Sequence, residues 1–431
     1  MHVYFSGIGG TGIGPLALIA HKAGFTVSGS DKQDSSYFTY LREHGINNIH
    51  AGQSYEQIAA VHAKQPIDWL VFSSAIVKEQ AEPEELRFCK EHGIKATKRD
   101  EFLNALLEQK HQKLIAIAGT HGKTTTTAMT IWLCKQLGIA ESHSVAAKSS
   151  FADMGEFNPS GEYFIYETDE YDRNFLSFHP RLSIITGIDW DHPDVFPSRE
   201  DYYAAFRQFL DQSDTAVIWD TDLERLQLQP NERLLQINQT DPGIAKGLQL
   251  PGLVNRQNAW TVAQAMSHLL NKPVESLLPH LNTFPGIGRR FEQIVPHIYS
   301  DYAHTPPKIR GALQMAHELA GNKVVVVYEG LHNTRQHFIK DELTNLFDDV
   351  KHLYIVPSYL AREDTSLKLL SPTDLAQLLN SQAQSHTTPS QLDATLKHSI
   401  RQHADNGDLV LCISAGGGNS LDEWLRHEFT N

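Results

Sequence analysis

The chain has 431 residues, 41% hydrophobic and 20% charged, an ordinary globular composition with length for about three domains. Its 37 Lys and Arg against 51 Asp and Glu leave a formal charge of −14, which repels nucleic acid and anionic membranes, so an anionic ligand has to be held by a few placed cations and backbone amides. Cys89, Cys134 and Cys412 lie far apart without metal-ligand spacing, there is no basic leader followed by an apolar stretch, and no apolar run approaches about 18 residues. A protein of the reducing cytoplasm is expected, with no membrane insertion and no nucleic-acid partner.

In chain order, short apolar runs alternate with amphipathic stretches at the spacing of βα units in three successive blocks. That predicts an α/β chain of three domains, each built on a mostly parallel sheet. The first block, residues 1–108, carries the strand-like segments HVYFS, FTVSGS and DWLVFSS and reads as a Rossmann-like domain. Gly7, Gly9 and Gly12 satisfy G-x-G-x-x-G directly after its first strand, and Asp31 closes the next strand. Taken alone, that pattern points to NAD and a dehydrogenase.

A polar stretch, EQKHQ, leads into the second block, residues 109–284, which opens on the buried-type strand KLIAIAG. A turn of Gly119, Thr120, His121, Gly122, Lys123, Thr124 and Thr125 follows, and then an amphipathic helix. Each part suits a nucleotide triphosphate: glycines let backbone amides wrap phosphate oxygens, Lys123 supplies a point charge, and the Thr124 hydroxyl can bind Mg²⁺. The helix N-terminus adds its dipole. Ile117 stands where the usual pattern has its first glycine, so this is a shortened P-loop; the competing reading is a glycine turn beside a solvated lysine.

Two later strands of this block also end in charged clusters. YFIYE runs into Glu167, Thr168, Asp169, Glu170, Tyr171 and Asp172, and RLSIITG runs into Asp189, Trp190, Asp191, His192, Pro193 and Asp194. Ligands sit beyond the carboxyl ends of parallel strands, so the three clusters are expected to converge on one nucleotide, with carboxylate and imidazole groups as candidate Mg²⁺ ligands. After the helix-like NRQNAWTVAQAMSHLL and the linker-like TFPGIG, residues 285–431 supply HIYSDY, KVVVVYEG, HLYIVP and DLVLCIS to a third, Rossmann-like parallel sheet.

Six motifs in order, GTHGKTT at 119–125, ETDEYD at 167–172, DHPD at 191–194, NRQNA at 255–259, RRFE at 289–292 and DYAHTP at 301–306, resemble the Mur ligase family over essentially the whole chain. The resemblance implies an ATP-dependent, ADP-forming ligase of peptidoglycan precursor synthesis that works through an acyl phosphate. It further implies that Gly119 to Thr125 cradle ATP, that Lys123 contacts its phosphates, and that Thr124, Glu167 and His192 surround Mg²⁺. Asn258 would meet the adenine, and Arg290 and Asp301 would bring phosphate and ribose contacts from the third domain. Lys123, Glu167, His192 and Arg290 are then the catalytic set, whereas His121 could serve only the shape of the loop.

The family branch with GIGG and SGSD uses the first glycine loop for a UDP-sugar diphosphate, which assigns Gly7, Gly9, Gly10, Gly12, Asp31, Ser73 and Ser74 to UDP-N-acetylmuramate rather than NAD. Within that branch the incoming amine is L-alanine or a recycled tripeptide. Tyr171 and the DVF after the DHP motif lean to the peptide, while RRFE, Arg335 and YLARED lean to alanine, which is preferred. Arg335 is a candidate for the carboxylate of the amino acid, by bidentate pairing; a surface arginine is the alternative. Gly187, Val254 and Thr305 depart from the family's usual residues, and residues 235–252 are shorter than in close relatives. These departures keep a second class open, a regulatory nucleotide-binding protein that does not ligate.

Overall fold

Runs such as Val324 to Val327 form strands buried on both faces, the pattern of parallel sheets covered by helices. The computed structural model describes residues 1–431 except 74–75, 78–81, 192–194, 362 and 431, and the side chain of Ser36. Ser74 and His192, both expected site residues, lie outside the described residues.

The first sheet joins β1 (His2–Ser6), β2 (Thr26–Asp31), β3 (Ile49–Ala51), β4 (Trp69–Phe72) and β5 (Lys95–Lys98) in the order β3-β2-β1-β4-β5, all parallel. The strand order reverses at β1, which makes its carboxyl end a switch point where ligands bind. The second sheet holds β6 (Lys113–Ala118), β7 (Glu141–Ser144), β8 (Gly155–Glu156), β9 (Tyr163–Glu167), β10 (Leu182–Ile185), β11 (Ala216–Trp219) and β12 (Leu234–Ile237). Its order is β12-β11-β10-β6-β9-β7-β8, and only the β7–β8 pair is antiparallel. β10, β6 and β9 are neighbours, so the loops that follow them emerge side by side.

The third sheet contains β13 (Glu292–Val295), β14 (Ile298–Asp301), β15 (Val324–Leu331), β16 (His352–Tyr359), β17 (Thr387–Pro389) and β18 (Leu409–Ile413). The order is β13-β14-β18-β15-β16-β17. The four strands expected from sequence are all parallel here, and the short edge strands β13, antiparallel, and β17, parallel, are additions. The fold is thus the three-domain α/β arrangement with mostly parallel sheets.

By packing, the chain forms two compact units, Met1–Leu248 with Gln257–Phe284, and Gln249–Arg256 with Pro285–Asn431. The first unit carries the first two sheets. The stretch 249–256 packs with the third sheet's helix Pro306–Ala320, through Arg256 to Glu318 at 2.7 Å and the Leu253 amide to Gln314 at 2.9 Å. Each of the three domains holds one single, fully buried thiol, Cys89, Cys134 and Cys412; burial pushes Cys89 up to about 12. Among the described residues no helix is long and apolar enough to cross a membrane.

Inside the first unit the two sheet domains are pinned together. Lys22, at the end of helix Gly14–Lys22, pairs with Asp153 at 2.8 Å and Glu156 at 2.7 Å, and His44 reaches Asp153 at 3.3 Å. The Tyr40 hydroxyl accepts the Met154 amide at 3.2 Å. β8 comes so close to the start of the helix that a Cβ on Gly155 would overlap the Pro15 carbonyl oxygen. Gly155→Ala is therefore expected to cost about 1–3 kcal/mol through forced displacement of a packed backbone. The check is the urea midpoint, and unchanged stability would contradict the close approach.

Candidate active site

The first glycine loop hangs from the carboxyl end of β2. The amides of Gly7 and Ile8 donate to the Ser30 carbonyl at 2.8 and 2.9 Å, the Gly9 amide donates to Asp31 Oδ2 at 2.8 Å, and the Gly10 amide donates to the Gly7 carbonyl at 3.1 Å. Among the described residues the amides of Thr11 and Gly12 make no such bond. These are the donors left for an anion, at the start of helix Gly14–Lys22, where the dipole adds to them. Asp31, the residue that would take a ribose in a dinucleotide fold, here secures the loop. Ser73 lies against its base, with Oγ 3.5 Å from where a Cβ on Gly7 would stand.

The second loop follows β6 and ends in helix Lys123–Gln136, whose first amides have no intrahelical acceptor. The loop is braced from β10. The Thr120 amide donates to the Gly187 carbonyl at 2.8 Å, and the Thr120 hydroxyl donates to the Asp189 carbonyl at 2.6 Å and lies 2.8 Å from the Tyr202 hydroxyl. The Thr186 hydroxyl donates to the His121 carbonyl, which ties His121 to loop shape. Gly187 has φ +136°, a backbone state that side chains rarely adopt, so its glycine follows from the brace. Asn258 reaches this loop, with Oδ1 2.9 Å from a Cβ built on Gly122.

Lys123 Nζ donates to the Gly119 carbonyl at 2.6 Å and to both oxygens of Glu170, at 2.9 and 2.6 Å. Burial alone would depress this ammonium; Glu170, with Asp169 and Glu167 beyond it, outweighs burial and raises its pKa. The Thr124 hydroxyl donates to Glu167 Oε1 at 2.8 Å, and the Ala146 amide approaches Glu167 Oε2 at 3.3 Å. Lys123, Thr124, Glu167 and Asn258 therefore gather at one sheet edge.

Both loops open on one cavity of about 240 Å³, walled by Thr11 and Gly12 on one side and Lys123, Glu167 and Asp169 on the other, with Arg99 between. Arg99 donates to Asp169 at 2.8 Å, lies 3.5 Å from Asp100, and occupies the space a Cβ on Gly12 would need. Burial raises Asp100 to about 6, although Arg99 opposes the shift.

In the second unit, Asp301 accepts the amides of Phe291 and Ala303 at 2.7 and 2.8 Å, so its carboxylate shapes the RRFE turn. Burial raises its pKa against the opposing charge of Arg290. Arg289 and Arg290 both stack on Tyr302 at 4.7 Å, and Arg289 also donates to the carbonyls of Ser414 and Gly416. Arg335, on helix Asn333–Leu343, joins Arg290 and Lys308 as the cations around a neutral His304 at the carboxyl end of this sheet.

Three family models match the chain: "Mur ligase family, catalytic domain" over residues 2–111, "Mur ligase middle domain" over 117–241, and "Mur ligase, glutamate ligase domain" over 289–416. A curated UDP-N-acetylmuramate--L-alanine ligase of Brucella ovis is 30% identical over 474 residues, covering 98% of this chain and 95% of that one. The chain belongs to the Mur ligase family. A protein of the same name from Agathobacter rectalis is 29% identical over 99% of this chain and 97% of its own. Among solved structures, the Thermotoga maritima UDP-N-acetylmuramate-alanine ligase superposes with a TM-score of 0.75 at 22% identity, over 100% of this chain and 98% of that one. A murein peptide ligase from Psychrobacter arcticus gives 0.64 at 23%, over 100% and 98%.

Arg99 lines the cavity and Glu170 pairs with Lys123, and sequence reasoning gave neither a role at the site. Arg99 had a usable signal, since it directly follows β5 at the ligand edge of the first sheet. Glu170 stood inside ETDEYD, but only its neighbour Glu167 was singled out. Among the described residues no group of three or more His, Cys, Asp or Glu could hold a metal. The Thr124 and Glu167 oxygens nevertheless suit Mg²⁺, which favours oxygen and completes its shell with phosphate and water.

His304 gives a pH signature. Its Nδ1 lies 2.9 Å from the Tyr302 carbonyl and its Nε2 3.3 Å from Lys308 Nζ, so Nδ1 carries the proton and Nε2 accepts. Burial, and then Lys308, Arg335 and Arg290, hold its pKa well below the usual value. The unfolded imidazole takes up a proton below about pH 6.5 that the folded one refuses, so this residue lowers stability as pH falls through that point. Thermal unfolding of His304→Gln should lose less than wild type between about pH 7.5 and 5.5; parallel losses would contradict the assignment.

Proposed function

We propose that the chain joins L-alanine to UDP-N-acetylmuramate in peptidoglycan precursor synthesis, with cleavage of ATP to ADP and phosphate. The single observation that carries the reading is the cavity shared by the two anion loops, in a chain aligned almost end to end with relatives named for this reaction. In this reading residues 1–108 hold the acceptor, 109–284 hold ATP, and 285–431 hold the amine. Single buried thiols and the ATP requirement support a cytoplasmic location.

The amides of Thr11 and Gly12 take the acceptor diphosphate, which directs the acceptor carboxylate through the cavity toward the P-loop. Arg99 is the buried cation on that path. Lys123 and the first amides of helix Lys123–Gln136 hold the ATP phosphates, and Asn258 faces the base. Mg²⁺ would be held by the Thr124 and Glu167 oxygens, with His192 a further ligand only as the family resemblance implies, and would supply neutralising charge at the phosphates. The carboxylate oxygen attacks the γ-phosphorus in line and the bond to the ADP oxygen breaks, giving an acyl phosphate. The neutral amine then attacks the acyl carbon, phosphate leaves, and a proton is lost from nitrogen to give the amide. Arg335, with Lys308 near it, suits the carboxylate of the amino acid.

Phosphate release should require ATP, Mg²⁺, UDP-N-acetylmuramate and L-alanine together. Lys123→Ala should lower kcat by about a hundredfold or more, the loss typical of one preorganised charge at a reacting group. Arg99→Ala should raise KM for the acceptor by about tenfold, as for a lost charge-assisted hydrogen bond, and leave KM for ATP in place. Release with the L-alanyl tripeptide but not with L-alanine would move the chain to the recycling reaction; release with neither would overturn the reading.

A further inference from the structure

A parallel sheet wrapped on both faces is expected to be apolar throughout, yet one face of β1 and β2 is not. His2, Tyr4 and Ser6 alternate along β1, Ser28 and Ser30 along β2, and all five are buried. His2 Nε2 lies 2.7 Å from the Ser28 hydroxyl. At the carboxyl end of this polar line stands Glu85, on helix Glu84–Glu91 and 2% exposed. It accepts three hydroxyls: Tyr4 at 2.8 Å and Ser30 at 2.5 Å on Oε1, and Ser6 on Oε2. The Ser6 hydroxyl oxygen also accepts from Gln53 at 3.1 Å.

The place of these serines gives the cluster its meaning. Ser6 is the residue before Gly7, and Ser30 is the residue before Asp31. The Ser30 carbonyl takes the amides of Gly7 and Ile8, while Asp31 takes that of Gly9. One carboxylate therefore grips both strand ends from which the glycine loop is suspended. Removing a strong acceptor from three buried hydroxyls leaves each without its partner, and the strand ends are then free to shift. Burial raises the pKa of Glu85 while the three hydroxyls oppose the shift, so the carboxylate is held in place by the donors rather than by a cation.

We infer that Glu85, acting through Ser6 and Ser30, is a positioning residue that sets the loop presenting the Thr11 and Gly12 amides and so governs affinity for the nucleoside-diphosphate end of the acceptor. The inference rests on the ligase reading for the identity of that acceptor. It concerns binding alone; the phosphoryl transfer itself is untouched by Glu85.

The test is calorimetric titration of the full chain with UDP-N-acetylmuramate, without ATP, for wild type, Glu85→Gln, Ser6→Ala and Ser30→Ala, alongside steady-state KM for each substrate. The two serine variants remove one donor each and keep the carboxylate, which guards against a Glu85 variant that fails to fold. Glu85→Gln should weaken acceptor binding by about tenfold and each serine variant by a smaller factor, as expected for lost hydrogen bonds to a charged group. KM for ATP and for the amine should stay within error of wild type. A purely structural carboxylate would lower Tm and leave acceptor affinity unchanged in the folded variants, which would overturn the inference while the ligase reading stands. Absence of acceptor binding by the wild-type chain would overturn both.

Discussion

The structure turns on a lysine that must stay charged in a place where water is scarce. Lys123 sits at the base of the P-loop, and burial there works against its ammonium. Glu170, only 2% exposed, answers with both carboxylate oxygens, and the Gly119 carbonyl adds a third acceptor. A buried ion pair of this kind is weak evidence for stability, because desolvation of two charges offsets their attraction. Its value is positional: the ammonium is held, charged, beside the loop amides, and phosphate oxygens arriving in the proposed reaction would compete with Glu170 for a cation already in place. Glu170 itself is carried on the segment that follows β9, the strand next to the P-loop strand, so sheet order makes the pair possible.

The same logic operates at the other loop with different chemistry. The first glycine loop has no lysine, and its Gly7, Ile8 and Gly9 amides are committed to Ser30 and Asp31, which leaves those of Thr11 and Gly12 without a backbone acceptor among the described residues. A chain with an overall charge of −14 cannot rely on its field to attract anions. In the proposed reaction that task falls to oriented amides, helix starts and the enclosed cations Lys123 and Arg99. Arg99 has a further duty in the cavity wall, since its pairing with Asp169 ties the end of β5 to the acidic segment of the central domain.

Much of this was legible from sequence because it is local. The P-loop is one continuous strand, turn and helix, and the glycine loop of the first domain is another, so spacing singled out Gly7 to Gly12, and the order of strand, glycine turn and helix singled out Gly119 to Thr125. The parallel sheets followed from βα alternation. Partners across the fold were harder. Lys123 and Glu170 are 47 residues apart, and Arg99 and Asp169 are 70 apart; no periodicity links them, and only the order of strands brings them together. Asp31, expected at the UDP-sugar from the family resemblance, also secures the Gly9 amide, a contact that spacing does not reveal. The edge strand β13 escaped notice because EQIV is short and half-buried.

The distribution of thiols has a practical side. Each domain contains one cysteine, each is fully enclosed, and no two are bonded. A thiol is reactive only as an exposed thiolate, so the native molecule should ignore alkylating reagents, and modification at Cys89, Cys134 or Cys412 would require the surrounding layer to open. The protein thereby carries three natural clocks, one for the breathing of each lobe, readable by mass spectrometry without adding a label.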